Sequence, residues 1–221
     1  MNFDEEVDLK LCINLPKRSD RRDRCFDLFG RVGLDVTFIE AVSAIDLCYE
    51  SSFFSSPSRY ACLVSHVKAL SYAIHHCQKS VLILEDDIDI CPHFRVVLDA
   101  CSLPDDWKVL FLGGKHRNPP TDVSGPVKRL VWTSDNHAYI VRRPYIKQVI
   151  NAMANPWCLE NQRFMLGQSC PNKDVMFARM QRNGGVYGIS PNLIWQIENF
   201  SNNTNRFGGN YETNGQQKVR V

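Results

Sequence analysis

Three consecutive acids at the end of an apolar stretch are the residues of this sequence best placed to do chemistry: Ser80-Val-Leu-Ile-Leu runs directly into Glu85, Asp86 and Asp87. Like charges within a few ångströms raise one another's pKa, so carboxylates this close need a compensating charge. A divalent cation supplies one, because Mg²⁺ and Mn²⁺ take oxygen ligands, commonly one or two carboxylates together with phosphate oxygens. If strand alternation continues through the run, Glu85 and Asp87 project to one side and could share the metal, while Asp86 turns the other way, toward a sugar or ribose hydroxyl. A solvated loop or a helix cap is the alternative for such acids. The unbroken apolar run from Val81 to Leu84 favours a site, since a buried parallel strand opens onto solvent at its C-terminal end.

A second constellation is basic. Arg18, Arg21, Arg22 and Arg24 follow Ile13-Asn14-Leu15, at the end of one apolar run and the start of the next pattern. Guanidinium groups bind phosphate bidentately and helix N-termini attract anions, so a nucleoside diphosphate is a fitting guest. The alternative is a solvated helix face with Asp20, Asp23 and Asp27 as partners, which describes Arg22 best. Single histidines more often pack or hydrogen-bond than act, and His75, His76, His93 and His116 are read as structural or exposed; His66 and His137 remain candidates.

These side chains require elements to hold them. Asp8–Asn14 reads as a first strand stopped by Pro16, and Ser19 opens a helix whose apolar face is Cys25, Leu28, Phe29 and Val32, closing on Gly33. Val36–Val42 is a second strand, 51–58 a serine- and phenylalanine-rich loop, and Tyr60–Cys77 the longest helix. After the acidic strand come a short helix at Pro92–Cys101, a strand at Lys108–Gly113, a polar loop at Gly114–Pro126, and strands near Lys128–Trp132 and His137–Arg142. A helix after Pro144, another around Asp174–Arg182, a strand at Gly185–Ile189 and a polar Asn/Gly-rich tail from about Asn199 complete the chain.

The whole, 221 residues with 44% hydrophobic and 23% charged, suits one α/β domain and excludes a disordered, collagenous or coiled-coil chain. A formal charge of +2 gives no field that would make nucleic acid the default partner. The acidic start MNFDEEVDLK lacks the basic and apolar regions of a signal peptide, and no stretch reaches the length of a membrane span. A cytoplasmic protein is therefore expected, peripheral to a membrane only through its acceptor. Nine scattered cysteines without a CxxC pair read as buried or half-buried thiols.

Ile13-Asn14-Leu15-x5-Arg21-x2-Arg24, Ala61-Cys62-Leu63-Val64-Ser65-His66, Leu82-Ile83-Leu84-Glu85-Asp86-Asp87, His137-Ala138-Tyr139-Ile140-Val141 and a C-terminal echo at Pro191-Asn192-Leu193 with Gln196 and Ser201 resemble, in order, glycosyltransferase family 25. That family includes bacterial lipooligosaccharide galactosyltransferases and procollagen galactosyltransferases. The resemblance covers nearly the whole chain and implies one GT-A domain, α/β with a mixed, mostly parallel central sheet flanked by helices. It implies a UDP-hexose donor, a divalent metal (Mn²⁺ or Mg²⁺), a glycan or other hydroxyl-bearing acceptor, and inversion at the anomeric carbon. Carried over by position, Asn14, Arg21, Arg24, Ser65, His66, Asp86, His137 and Gln196 would line the nucleotide-sugar site, and Glu85 and Asp87 would hold the metal, with Glu in place of the first Asp of a DxD motif. Asp174, ahead of the late helix, would be the catalytic base, with a helix-end acid as the alternative and Asp135 and Asp46 next in line. The rival functions are a catalytically silent nucleotide-sugar or glycan-binding homologue and a metal-dependent nucleotidyltransferase; for the latter, Gly113-Gly114-Lys115 is too short a phosphate loop.

Overall fold

The computed structural model describes residues 1–47, 57–154, 173–197, 199–201 and 206–208. In chain order the elements are α1 (Phe3–Glu6), β1 (Val7–Asn14), α2 (Ser19–Arg31), β2 (Thr37–Glu40), α3 (Pro57–His76), β3 (Ser80–Glu85), β4 (Ile88–Ile90), α4 (Phe94–Asp99) and β5 (Val109–Phe111). Then come β6 (Lys115–His116), β7 (Thr121–Ser124), β8 (Val127–Arg129), β9 (Thr133–Ser134), β10 (Ala138–Arg142), α5 (Ile146–Ala154), α6 (Lys173–Arg182), β11 (Val186–Ile189), β12 (Ile194–Gln196), β13 (Asn199–Ser201) and β14 (Arg206–Gly208).

Eight strands form the central sheet in the order β2-β1-β3-β10-β5-β11-β8-β7. Six of them run one way and β10 and β8 oppose them, so the sheet is mixed and mostly parallel by strand direction, the arrangement expected of a GT-A domain. Strand alternation sends side chains to two cores. Cys12 on β1 and Leu82 and Leu84 on β3 pack with Phe3, Leu28 and Phe94 from α1, α2 and α4, while Leu11, Ile13, Val81 and Ile83 pack with Leu70, Val149 and Phe177 from α3, α5 and α6. Because β3 is buried on both faces, it reads in the sequence as a continuous apolar run.

Two expectations need correcting. The segment 114–126 is not all loop, since Lys115–His116 pairs with β9 and Thr121–Ser124 pairs with β8; their short lengths and polar, exposed side chains hide the pattern. The tail begins with two short strands, β13 and β14, joined in an antiparallel pair. The expected loop at 51–58 lies outside the described residues up to 56, and α3 already begins at Pro57. Of the cysteines, Cys12, Cys25, Cys77, Cys91 and Cys101 are buried free thiols and Cys62 is half-buried, while Cys48, Cys158 and Cys170 lie outside the described residues. No helix among the described residues is long and apolar enough to cross a membrane.

Candidate active site

The acid run leaves the sheet where β3 ends between β1 and β10, and it turns at once into β4, so the three carboxylates stand at the C-terminal edge. Gln196 Nε2 on β12 donates to Glu85 Oε2 at 3.4 Å and to Asp87 Oδ1 at 3.2 Å, placing those two acids on one side. Asp86 has its own donors, Asn14 Nδ2 to Oδ2 at 2.8 Å and Arg21 Nη1 to Oδ1 at 2.7 Å. Both oxygens of Asp86 are thus engaged within the protein, so it anchors β1 and α2 to the acid run instead of standing open toward a ribose. Gln196 can reach the acids because β12 pairs antiparallel with β4.

Glu85 carries the densest network. Lys173 Nζ, at the start of α6, forms an ion pair with Oε1 and also donates to the Asn136 carbonyl at 2.8 Å. His66 Nε2 lies 3.3 Å from Oε1, and its Nδ1 lies 2.8 Å from the Tyr139 hydroxyl. Burial and the Lys173 ammonium lower the His66 pKa, so the ring is neutral. Its single proton then belongs on Nε2, facing the carboxylate, and Tyr139 O–H donates to Nδ1. Burial alone would raise the Glu85 carboxyl, but Lys173 and His66 hold it far below the usual carboxylate range. The aromatic wedge of Phe177 against Phe111 and Tyr139, with centroids 5.0 and 4.8 Å apart, seats α6 on the sheet and thereby delivers Lys173.

Asp87 is the least compensated of the three. Arg21 Nη1 reaches its Oδ2 only at 3.4 Å, and burial together with the Glu85 charge pushes its carboxyl up. Among the described residues the ion pairs to these carboxylates come from Arg21 and Lys173, and Asp87 has only the longer one to Arg21. Asp87 with Glu85 Oε2 therefore fits a hard divalent ion with oxygen ligands. A different triad, Cys62, His66 and Glu85, brings ligand atoms within 4.8 Å of one another. It suits a metal poorly, because both His66 nitrogens are already engaged, with Tyr139 and Glu85.

A cleft of about 300 Å³ adjoins the acids, walled by the end of β1, the 41–45 segment after β2 and the first turns of α3, and lined by Arg21, Val42, Ser65 and His66 among others. Ser65 Oγ accepts from the Val42 N–H at 2.8 Å and donates to the Ala61 carbonyl at 2.7 Å, so it shapes the wall. Arg24 does not line this cleft. Its Nη2 donates to the carbonyls of Asp86 and Ile88, at 3.1 and 2.8 Å, clamping the turn that carries the acids. Nor does His137, whose Nε2 bonds the Ile194 carbonyl at 2.9 Å while its own carbonyl accepts from the Glu85 N–H. Gly113 permits that arrangement, since a Cβ there would lie 1.9 Å from the Ile194 oxygen. Asp174 sits beside Lys173, its Oδ1 accepting from the Asn136 N–H at 3.2 Å and Nδ2 at 3.0 Å. Lys173, Tyr139 and Asn136 were given no role by sequence reasoning; Tyr139 lay within the quoted His137–Val141 motif, and Lys173 in the polar Asn-Lys-Asp where α6 begins.

The family model described as glycosyltransferase family 25 (LPS biosynthesis protein) matches residues 8–121, which include the cleft, α3 and all three acids. The chain belongs to glycosyltransferase family 25. Relatives described as glycosyltransferase 25 family members include one from Aedes aegypti, 30% identical over 125 residues, which are 47% of this chain and 21% of that relative. Another, from Drosophila melanogaster, is 22% identical over 218 residues, covering 86% of this chain and 36% of the relative. The alignments thus span about a fifth to about a third of these longer proteins. Among solved structures, A197 from STIV aligns over 96% of this chain and 97% of its own, at 8% identity and a TM-score of 0.47. Mouse xyloside xylosyltransferase 1 aligns over 82% and 72%, at 10% identity and a TM-score of 0.45.

Proposed function

We propose that this family 25 chain is a metal-assisted, inverting glycosyltransferase that moves a hexose, galactose or glucose, from a UDP-sugar to a hydroxyl of a glycan, lipooligosaccharide or protein-linked acceptor. The observation that carries the reading is the under-compensated Asp87 carboxyl on the rim of a cleft of about 300 Å³. Asp87 and Glu85 Oε2 would hold the cation, which when bound offsets charge developing on the departing diphosphate. Arg21, anchored on Asp86, reaches the same rim and orients the diphosphate, while Val42 and Ser65 shape the wall for the nucleoside. Lys173 keeps Glu85 ionised and fixed, so the ligand set is built before the donor arrives.

Inversion needs one carboxylate to take the proton of the acceptor hydroxyl as its oxygen attacks the anomeric carbon. Asp174 supports that role, because Asn136 secures Oδ1 and leaves Oδ2 for the incoming proton. A thermal-shift titration of UDP and UDP-hexoses with and without Mn²⁺ tests the reading: stabilisation by UDP that requires the metal is expected, and none with any nucleotide would end it. Release of UDP from a UDP-hexose separates the transferase from a silent homologue and from a nucleotidyltransferase.

A further inference from the structure

The arginines at the start of α2 are all taken up inside the protein. Arg18 meets Asp20 with two hydrogen bonds, Nε to Oδ1 at 2.8 Å and Nη2 to Oδ2 at 2.7 Å. Arg21 holds Asp86 and reaches Asp87, and Arg24 clamps the carbonyls of Asp86 and Ile88. Arg22 lies over the rings of Phe26 and Phe38, 5.7 and 4.9 Å from their centroids. Lys17, just ahead of them, differs from all four. It is exposed and, among the described residues, has no hydrogen bond, ion pair or ring contact. It also lines the cleft, and the other lysine or arginine among the described lining residues is the committed Arg21.

The local backbone fixes where Lys17 starts and leaves its side chain loose. The Leu15 carbonyl accepts from the Arg18 N–H at 2.8 Å, closing a four-residue turn with Pro16 and Lys17 at its centre, and proline sets the backbone of the first central position. Asn14 Nδ2 donates both to the Arg18 carbonyl at 3.2 Å and to Asp86 Oδ2 at 2.8 Å, so the turn is tied to the acid run. From that anchored turn the ammonium swings on a four-carbon stem with three rotatable donors. The cleft it faces also carries Glu85, Asp86 and Asp87, which repel any anion that enters. Arg21 must divide its charge among Asp86, Asp87 and such an anion. Lys17 has no ion pair to give up, so its whole charge is available to a ligand.

We propose that Lys17 is a phosphate-binding residue of the cleft, the mobile cation that meets the diphosphate of the donor while the arginines after it hold the acid run in place. The proposal rests on the donor reading and adds to it a residue outside the arginine cluster. Calorimetric titration of the full chain with UDP and Mn²⁺ tests it, comparing the unaltered protein with Lys17→Gln, Lys17→Arg and Arg18→Gln. Lys17→Gln should weaken UDP about five-fold at low salt, Lys17→Arg should recover most of that loss, and Arg18→Gln, which removes an equal charge one residue away, should lose far less. The difference between Lys17→Gln and the unaltered protein should shrink as added salt shortens the Debye length from about 10 Å at 0.1 M to about 3 Å at 1 M, and the ligand-free unfolding midpoints should coincide. A structural role would move those midpoints and would ignore salt. Equal UDP affinity in Lys17→Gln and the unaltered protein, an equal loss in Arg18→Gln, no recovery in Lys17→Arg, or a loss that persists undiminished in high salt would overturn the assignment and leave the donor reading standing. Absence of UDP binding by the unaltered protein would end the donor reading and the role of Lys17 with it.

Discussion

Along the acid run, both carboxylate oxygens of Asp86 have donors, from Asn14 and Arg21, and Glu85 is met by Lys173, His66 and Gln196. On the other side of Lys173, the Asp135–His137 turn leaves three side-chain acceptors without a donor. The two regions share a lysine and differ in how far the protein itself completes them. A network satisfied internally is rigid before any ligand arrives, whereas unsatisfied atoms are costly until one does. The acid run is therefore held rigidly by the protein's own donors, and the turn is not.

The sharpest way to break the comparison is at its boundary. Asp174→Asn should lower the rate of hexose transfer by about 10² to 10⁴ while UDP affinity holds, because the carboxylate acts on the acceptor. Near-normal turnover would move the base elsewhere. Lys173→Met strikes the donor side, leaving Glu85 buried without its cation, and should cost about 3–5 kcal/mol in urea unfolding. Adding Glu85→Gln to that variant should recover a good part of the loss; failure to do so would mean that Lys173 matters for packing alone.

Asp87→Asn should weaken Mn²⁺-dependent UDP binding by at least about ten-fold, about 1.4 kcal/mol, while making the metal-free protein no less stable. The sign follows from its raised carboxyl: the folded state holds the proton to higher pH than the unfolded chain does. Asp87 therefore costs stability as pH rises through that range, and the Asn variant should lack that loss. Unfolding midpoints without metal, measured across the acidic range, check it.

A control remote from both regions has the smallest effect. Asp8 accepts the N–H groups of Gln78, Lys79 and Ser80 where α3 gives way to β3, at 2.6, 2.9 and 3.0 Å. Although burial opposes it, these bonds lower the Asp8 pKa, so its contribution is full above the ordinary carboxyl range and fades as pH falls below it. Asp8→Asn should cost at most about 1 kcal/mol at neutral pH, since solvent screens this exposed carboxylate, and less as pH falls below the ordinary carboxyl range, with UDP binding unaltered.

The sequence by itself determined the elements and the position of the acids. Period-2 and period-3.6 patterns are written in neighbouring residues, so β1, α2, α3 and β3 are legible, as is the acid run at the end of β3. What it left open was which partner each side chain takes. Arg21 and Arg24 stand three residues apart on one face of α2, and both reach the Asp86 turn, yet Arg21 takes the carboxylate and lines the cleft while Arg24 takes the Asp86 and Ile88 carbonyls, a division that the shared face does not encode. Lys173 meets Glu85 across 88 residues and Gln196 meets Asp87 across 109. Those meetings depend on β10 lying beside β3 and on β12 folding onto β4, a sheet order that local periodicity does not encode. The unpaired atoms at Asp135–His137 were invisible for the same reason, since only the folded chain shows which polar groups its own contacts leave unanswered.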